Sequence, residues 1–193
     1  MRNRIDRTAT VHPSAHIGAK SSVGPGALVG YRASVGQGAK IAPDAVVHRN
    51  GILRAYSVLG EQSTLGHQSD IHTETVIEDH VTIGSQVTIG RGVVVGRHSV
   101  IDSHAHIADG ARIGQRTHIG RGAIVDHDAI VGTRVTIGSR TVIGVGAEIG
   151  KRVQVAAEAV VGAQARIGVN ARIANRARVP NGRLVARNRS FSD

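Results

Sequence analysis

The chain has 193 residues, of which 40% are hydrophobic and only 2% aromatic, with 25 glycines, no tryptophan and no cysteine. The lack of cysteine excludes a disulfide framework, a thiolate metal site and a cysteine nucleophile, and it fits a reducing compartment, so a cytoplasmic protein is expected. The formal net charge of +10 is uneven: residues 151–193 hold nine basic and two acidic residues, or +7, which leaves +3 for the first 150. That imbalance suits either an anionic partner or a solubilising surface.

The opening MRNRIDRTATVHPS has no apolar run of the signal-peptide kind. No stretch approaches the roughly 20 apolar residues of a membrane span. From Ile5 onward an Ile, Val or Leu recurs at every sixth position, through Val11, Ile17 and Val23 to Val185, in 31 consecutive hexads without insertion or deletion. With the aliphatic residue as position one, position five is Ala, Ser, Thr, Gly or Val in 29 of the 31, and position two is Gly in 17. Glycine at position two is read as a corner, where it permits unusual backbone angles and close approach of a neighbouring chain. A period of six matches neither a helix at 3.6 nor a strand alternation at two. It matches a short strand plus a tight turn, stacked as a solenoid in which each coil buries its apolar face against its neighbours.

The rows VTIGSQVTIGRGVVVG and IGQRTHIGRGAIVDHDAIVG resemble the hexapeptide-repeat superfamily over nearly the whole chain. That resemblance implies an all-β fold, a left-handed parallel β-helix with three hexads per triangular coil. We expect about ten uninterrupted coils over residues 1–188, a short polar tail over 189–193, and a homotrimer. Equivalent residues of adjacent coils are then 18 apart in sequence and about 4.8 Å apart in space. The charged stretches MRNRIDR and ARNRSFSD, with Pro180, would protect the two open ends from strand pairing.

In chain order, the first functional signal is IDRTATVHPSAHIG, which resembles the opening coils of acyltransferases that acylate UDP-sugars. Next come VVHRNG and LGHQSDIHTE: His48 stands at position two of its hexad, His67 at position three one coil later, and His72 five residues further on. This register resembles that of γ-class carbonic anhydrases, whose three histidines bind zinc or iron between subunits, although Ala42 stands where that family has a glutamine. The resemblance implies a shared metal site at His48, His67 and His72, with Zn or Fe as cofactor and a metal-bound water as the reactive group.

Further along, His80, His98, Arg116, Arg134 and Arg152 are each 18 apart at position four, so they are predicted to form a ladder on one face. Such a stripe would dock an anionic small molecule or an acidic partner, or serve as a tolerated solvent face. The lack of aromatic residues for base stacking argues against nucleic acid. Last, DSHAHIADGARIG resembles the catalytic coil of the same acyltransferases, with Asp109 where their general base is expected. There His104 or His106 would deprotonate a hydroxyl or amine for transfer from acyl-CoA or acyl-carrier protein. Perfect register without loops also suits a non-catalytic rod or an idealised, designed repeat. Three functions thus follow from the residues: a metal-dependent carbonic-anhydrase-like lyase, an acyltransferase, and a scaffold.

Overall fold

The computed structural model describes residues 3–192 and consists of 32 two-residue strands joined by turns. Each strand pairs in parallel with the strand one coil away, in registers such as Leu65↔Ile83 and Ile71↔Ile89, which are 18 residues apart. Three sheets of 11, 11 and 10 strands result. Sheet I runs from Arg4–Ile5 to Leu184–Val185, sheet II from Thr10–Val11 to Ser190–Phe191, and sheet III from His16–Ile17 to Arg178–Val179. The chain is a left-handed parallel β-helix of between ten and eleven coils, as the hexad period implies. The ladder continues past residue 188, because Ser190 and Phe191 pair with Arg172 and Ile173. The expected polar tail is therefore coil through Phe191, where an aromatic residue holds position one.

Position one points into the prism and is buried from Val23 to Val185, while position five fills the corners with Ala, Val, Ser or Thr. Three aliphatic side chains per coil fill this narrow interior, which explains how a core forms without aromatics. Tyr31 and Tyr56 stand outside it, 44% and 56% exposed. Every buried hydroxyl at position five donates to a backbone carbonyl, and four of them also accept from a backbone amide. Ser69 Oγ donates to the Gly84 carbonyl at 2.8 Å and accepts from the Val87 amide at 3.0 Å. Ser63 makes the same pair of bonds with Glu78 and Val81. A buried hydroxyl left without partners would cost about 1–3 kcal/mol, so these bonds are what make serine tolerable in the core.

The turns are set by position four. From Lys20 to Asn188 all 29 position-four residues have positive φ, 22 of them non-glycine and seven glycine. Pro25 and Pro43 occupy position three, directly ahead of the positive-φ residues Gly26 and Asp44, the place a type II turn favours for proline. No Val, Ile, Thr or Pro stands at these 29 positions, because a left-handed backbone penalises branched side chains most. The position-four amide also bonds the previous coil, as in His98 N to Asp79 O at 3.1 Å. The expectation for glycine at position two is half corrected: those glycines do not have positive φ. They are needed for close approach alone, since a Cβ on Gly36 would lie 2.5 Å from the Ala55 amide nitrogen of the next coil.

Candidate functional site

The corner between sheets II and III carries three of the seven histidines singled out by sequence, His48, His67 and His104. Position two places His48 there, and position three places His67 one coil along. Their rings are 4.6 Å apart, tilted by 46°. Burial and the neighbouring His67 hold His48 below the ordinary imidazole range, which favours its neutral, lone-pair-bearing form. His67 Nδ1 is buried and has no hydrogen-bond partner. His72 lies around the next corner, between sheets III and I, where its Nε2 is 3.8 Å from Asp70 Oδ2. Arg54 clasps the same carboxylate, with Nε to Oδ1 at 2.9 Å and Nη2 to Oδ2 at 2.7 Å. The three histidines therefore do not converge within one chain, and among the described residues no group of three His, Asp or Glu side chains could hold a metal ion.

Three coils after His48, the same corner holds a different arrangement. Asp102 occupies position two and His118 the outward position six of the following sheet II strand. His118 Nε2 is 2.8 Å from Asp102 Oδ2, with both side chains partly exposed. A carboxylate only accepts, so Nε2 carries the proton and Nδ1 presents its lone pair. Sequence reasoning missed this pair. His104, at position four, lines a cleft of about 560 Å³ with Arg121, Gly122, Ser139 and Arg140. Arg140 begins a charge ladder: Glu158 meets Arg140 at 3.2 Å and Arg176 at 2.9 Å, and these two guanidiniums, Arg176 foremost, hold its carboxyl below the usual range. His106 points outward from sheet III between Thr88 and Ile124, is exposed, and has no partner that orients it. A larger hollow of about 700 Å³ over sheet I near Ile5 contains no histidine.

The predicted ladder is present on the corner between sheets I and II. His80 and His98 stack with ring centroids 4.7 Å apart and planes within 3°. Arg116, Arg134 and Arg152 continue the column, all exposed and all at φ between 55° and 58°.

A parallel solenoid with an aliphatic residue every sixth position and a left-handed turn in each hexad defines the hexapeptide-repeat class. A family model described as "GMPPB C-terminal domain" matches residues 4–100, half of the chain, and one described as "Bacterial transferase hexapeptide (six repeats)" matches residues 110–151. The chain belongs to the hexapeptide-repeat superfamily, and its first half to the GMPPB C-terminal domain family. No curated protein matches the chain. Among solved structures it is similar to a UDP-N-acetylglucosamine acyltransferase at 15% identity and a TM-score of 0.61, over 93% of this chain and 71% of that one. It is also similar to the UDP-N-acetylglucosamine O-acyltransferase of Moraxella catarrhalis at 17% identity and a TM-score of 0.57, over 93% and 70%. At these identities the likeness is one of fold. No helix among the described residues is long and apolar enough to cross a membrane.

Proposed function

We propose that the protein is an acyltransferase that moves an acyl group from a thioester to a hydroxyl or amino acceptor at the corner between sheets II and III. The observation that carries this reading is the 2.8 Å contact between His118 and Asp102. His118 Nδ1 takes the proton from the acceptor as its oxygen or nitrogen attacks the thioester carbonyl. The carbon–sulfur bond then breaks, and the departing thiolate recovers the proton from the imidazolium. Asp102 fixes the tautomer and stabilises the imidazolium while it exists. Arg121, Arg140 and His104 line the cleft on the same corner and suit the phosphates of a CoA or carrier-protein arm. The likeness to UDP-N-acetylglucosamine acyltransferases supports the same chemistry and suggests the first acceptor to try.

The test is release of free thiol from acetyl-CoA and longer acyl-CoAs, with UDP-N-acetylglucosamine and with water alone as acceptor. Turnover that disappears in His118→Ala supports the reading. Absence of both transfer and hydrolysis, or turnover unchanged by that substitution, sinks it.

A second reading has its own support in the buried, unpartnered Nδ1 of His67 beside His48. In a homotrimer, His48 and His67 of one protomer and the equivalent of His72 from another would hold Zn or Fe, which would supply a Lewis acid and an activated water. Elemental analysis of the purified protein is then expected to find about one such ion per chain, because a trimer has three equivalent interfaces and each would hold one ion. His67→Ala should abolish it. Metal-free protein, unchanged in stability by that substitution, removes this reading.

A further inference from the structure

The most strongly charged surface of the molecule lies away from both sites. The corner between sheets I and II, over residues 96–99, 114–117, 132–135, 150–153, 168–171 and 186–189, contains no aspartate or glutamate. It carries Arg97, Arg116, Arg134, Lys151, Arg152, Arg187 and Arg189. Arg97 is spent on Glu78 and Asp79, at 3.9 and 3.4 Å. Among the described residues, Arg116, Arg134, Lys151, Arg152 and Arg187 make no ion pair, whereas the arginines of the opposite corner bracket Glu158.

The geometry of this edge decides what it can bind. It is straight, because successive position-four residues are held by the same inter-coil amide bonds, Arg116 N to Arg97 O at 2.9 Å and Arg152 N to Thr133 O at 3.0 Å. Five coil steps separate Arg97 from Arg187, a length of about 24 Å at the strand spacing. It is convex, the outer corner of a prism, so nothing encloses a small anion and a lone phosphate would meet one or two side chains in open water. Like charges repeated at this spacing repel, and only a ligand that spans several coils relieves all of them at once. The edge has no Phe, Tyr or Trp, and its one imidazole, His98, is already stacked on His80, which removes the run of stacking platforms on which single-stranded nucleic acid depends. A flat anionic bilayer would touch the ridge while both flanking sheets turn away from it.

We propose that this edge binds an extended inorganic polyphosphate chain, laid parallel to the solenoid axis and held by its backbone charge. Successive phosphates run past Arg116, Arg134 and Arg152, with Lys151 and Arg187 at the flank. The arrangement reads no sequence and demands only linear charge, which is what a convex row of permanently charged side chains offers.

The experiment is titration of the full chain with medium-chain polyphosphate. The expected affinity falls about 100-fold between about 50 and about 200 mM KCl, as release of counterions from some five contacts requires. The triple variant Arg116→Gln/Arg134→Gln/Arg152→Gln should bind about 100-fold more weakly at the lower salt and lose about 2 from the salt slope. It should fold normally, since Gln62, Gln68, Gln86 and Gln164 already occupy the same left-handed turn position; an unchanged melting temperature verifies this. Removing the same charge from the sheet faces, with Arg112→Gln/Arg172→Gln/Arg178→Gln, should leave at least nine-tenths of the loss unreproduced. Equal weakening by the two triples would reduce the effect to net charge and overturn the proposal. It is equally overturned if no binding is seen, if orthophosphate competes as well as the polymer, or if single-stranded DNA or phosphatidylserine vesicles bind as tightly.

Discussion

Gly66→Ala should lower the melting temperature by about 10 °C, whereas Gly92→Ala should lower it by about 2 °C, in a chain where roughly 1 kcal/mol corresponds to 2–4 °C. The two glycines differ in why they are glycine. A Cβ on Gly66 would stand 2.8 Å from the Ile83 carbonyl oxygen and closer still to the carbonyl of Gly84. Both are backbone of the next coil, fixed by the bond from Gly66 N to Ile83 O at 2.9 Å. The only relief is to part the coils, a form of overpacking that costs about 3 kcal/mol. Gly92 has φ +64° and nothing within 4 Å of an added Cβ. Its cost is the left-handed backbone alone, about 1–2 kcal/mol, partly offset by about 0.4–1 kcal/mol from a stiffer unfolded chain. Thermal or urea denaturation of the two variants decides the matter. Similar shifts would mean that close stacking at position two is not what glycine provides there.

That contrast also marks what could be seen in the sequence. The hexad was legible because every position-one side chain meets the same interior, from Val23 to Val185, so selection for burial writes itself out at a fixed interval. Stacking at 18 followed at once, and it placed His80 over His98 correctly. The left-handed turn at position four was not seen, because eight kinds of non-glycine side chain share its 22 non-glycine sites and its signal is the absence of branched residues rather than the recurrence of one. The Asp102–His118 pair was missed for a related reason. Its partners are 16 apart, position two of one coil to position six of the next, a diagonal along the outer face of sheet II that a search for vertical neighbours at 18 passes over. Arg54 and Asp70 make their bidentate pair through the same diagonal. A scan of charged residues at that offset finds both pairs.

The unbroken register bears on where chemistry can sit. An enzyme usually carries its site on loops that leave the scaffold, and here the 29 consecutive left-handed turns leave none. Any site must be made by side chains on the coils themselves, with small residues supplying the hollows. Gly122 and Ser139 do this between Arg121, Arg140 and His104. Elsewhere on the same corner the Glu158 carboxylate is taken up by two arginines, and the rings of His48 and His67 lie against each other without an ion pair among the described residues. Only where a carboxylate meets an imidazole does the corner contain an oriented base.

If that base works as proposed, His118→Ala should cut turnover by about 1,000-fold and Asp102→Asn by about 100-fold, with little change in KM, within the range that general-base groups contribute. The asparagine keeps the shape but can donate to Nε2, which moves the ring proton to Nδ1, the atom that must accept. The smaller factor reflects the exposure of both side chains, 48% for His118 and 39% for Asp102, since water screens the lost charge and lets the ring turn. His127→Ala is the matched control: His127 sits 4.0 Å from Asp126, a similar pair of groups on a different corner. Its turnover should stay at the unmodified level, and imidazole in the buffer should restore part of the activity of His118→Ala but none of that of Asp102→Asn. Equal losses in the His118 and His127 variants would show that histidines matter only to the solenoid's stability. A full loss in Asp102→Asn together with a raised KM would instead assign Asp102 to substrate binding.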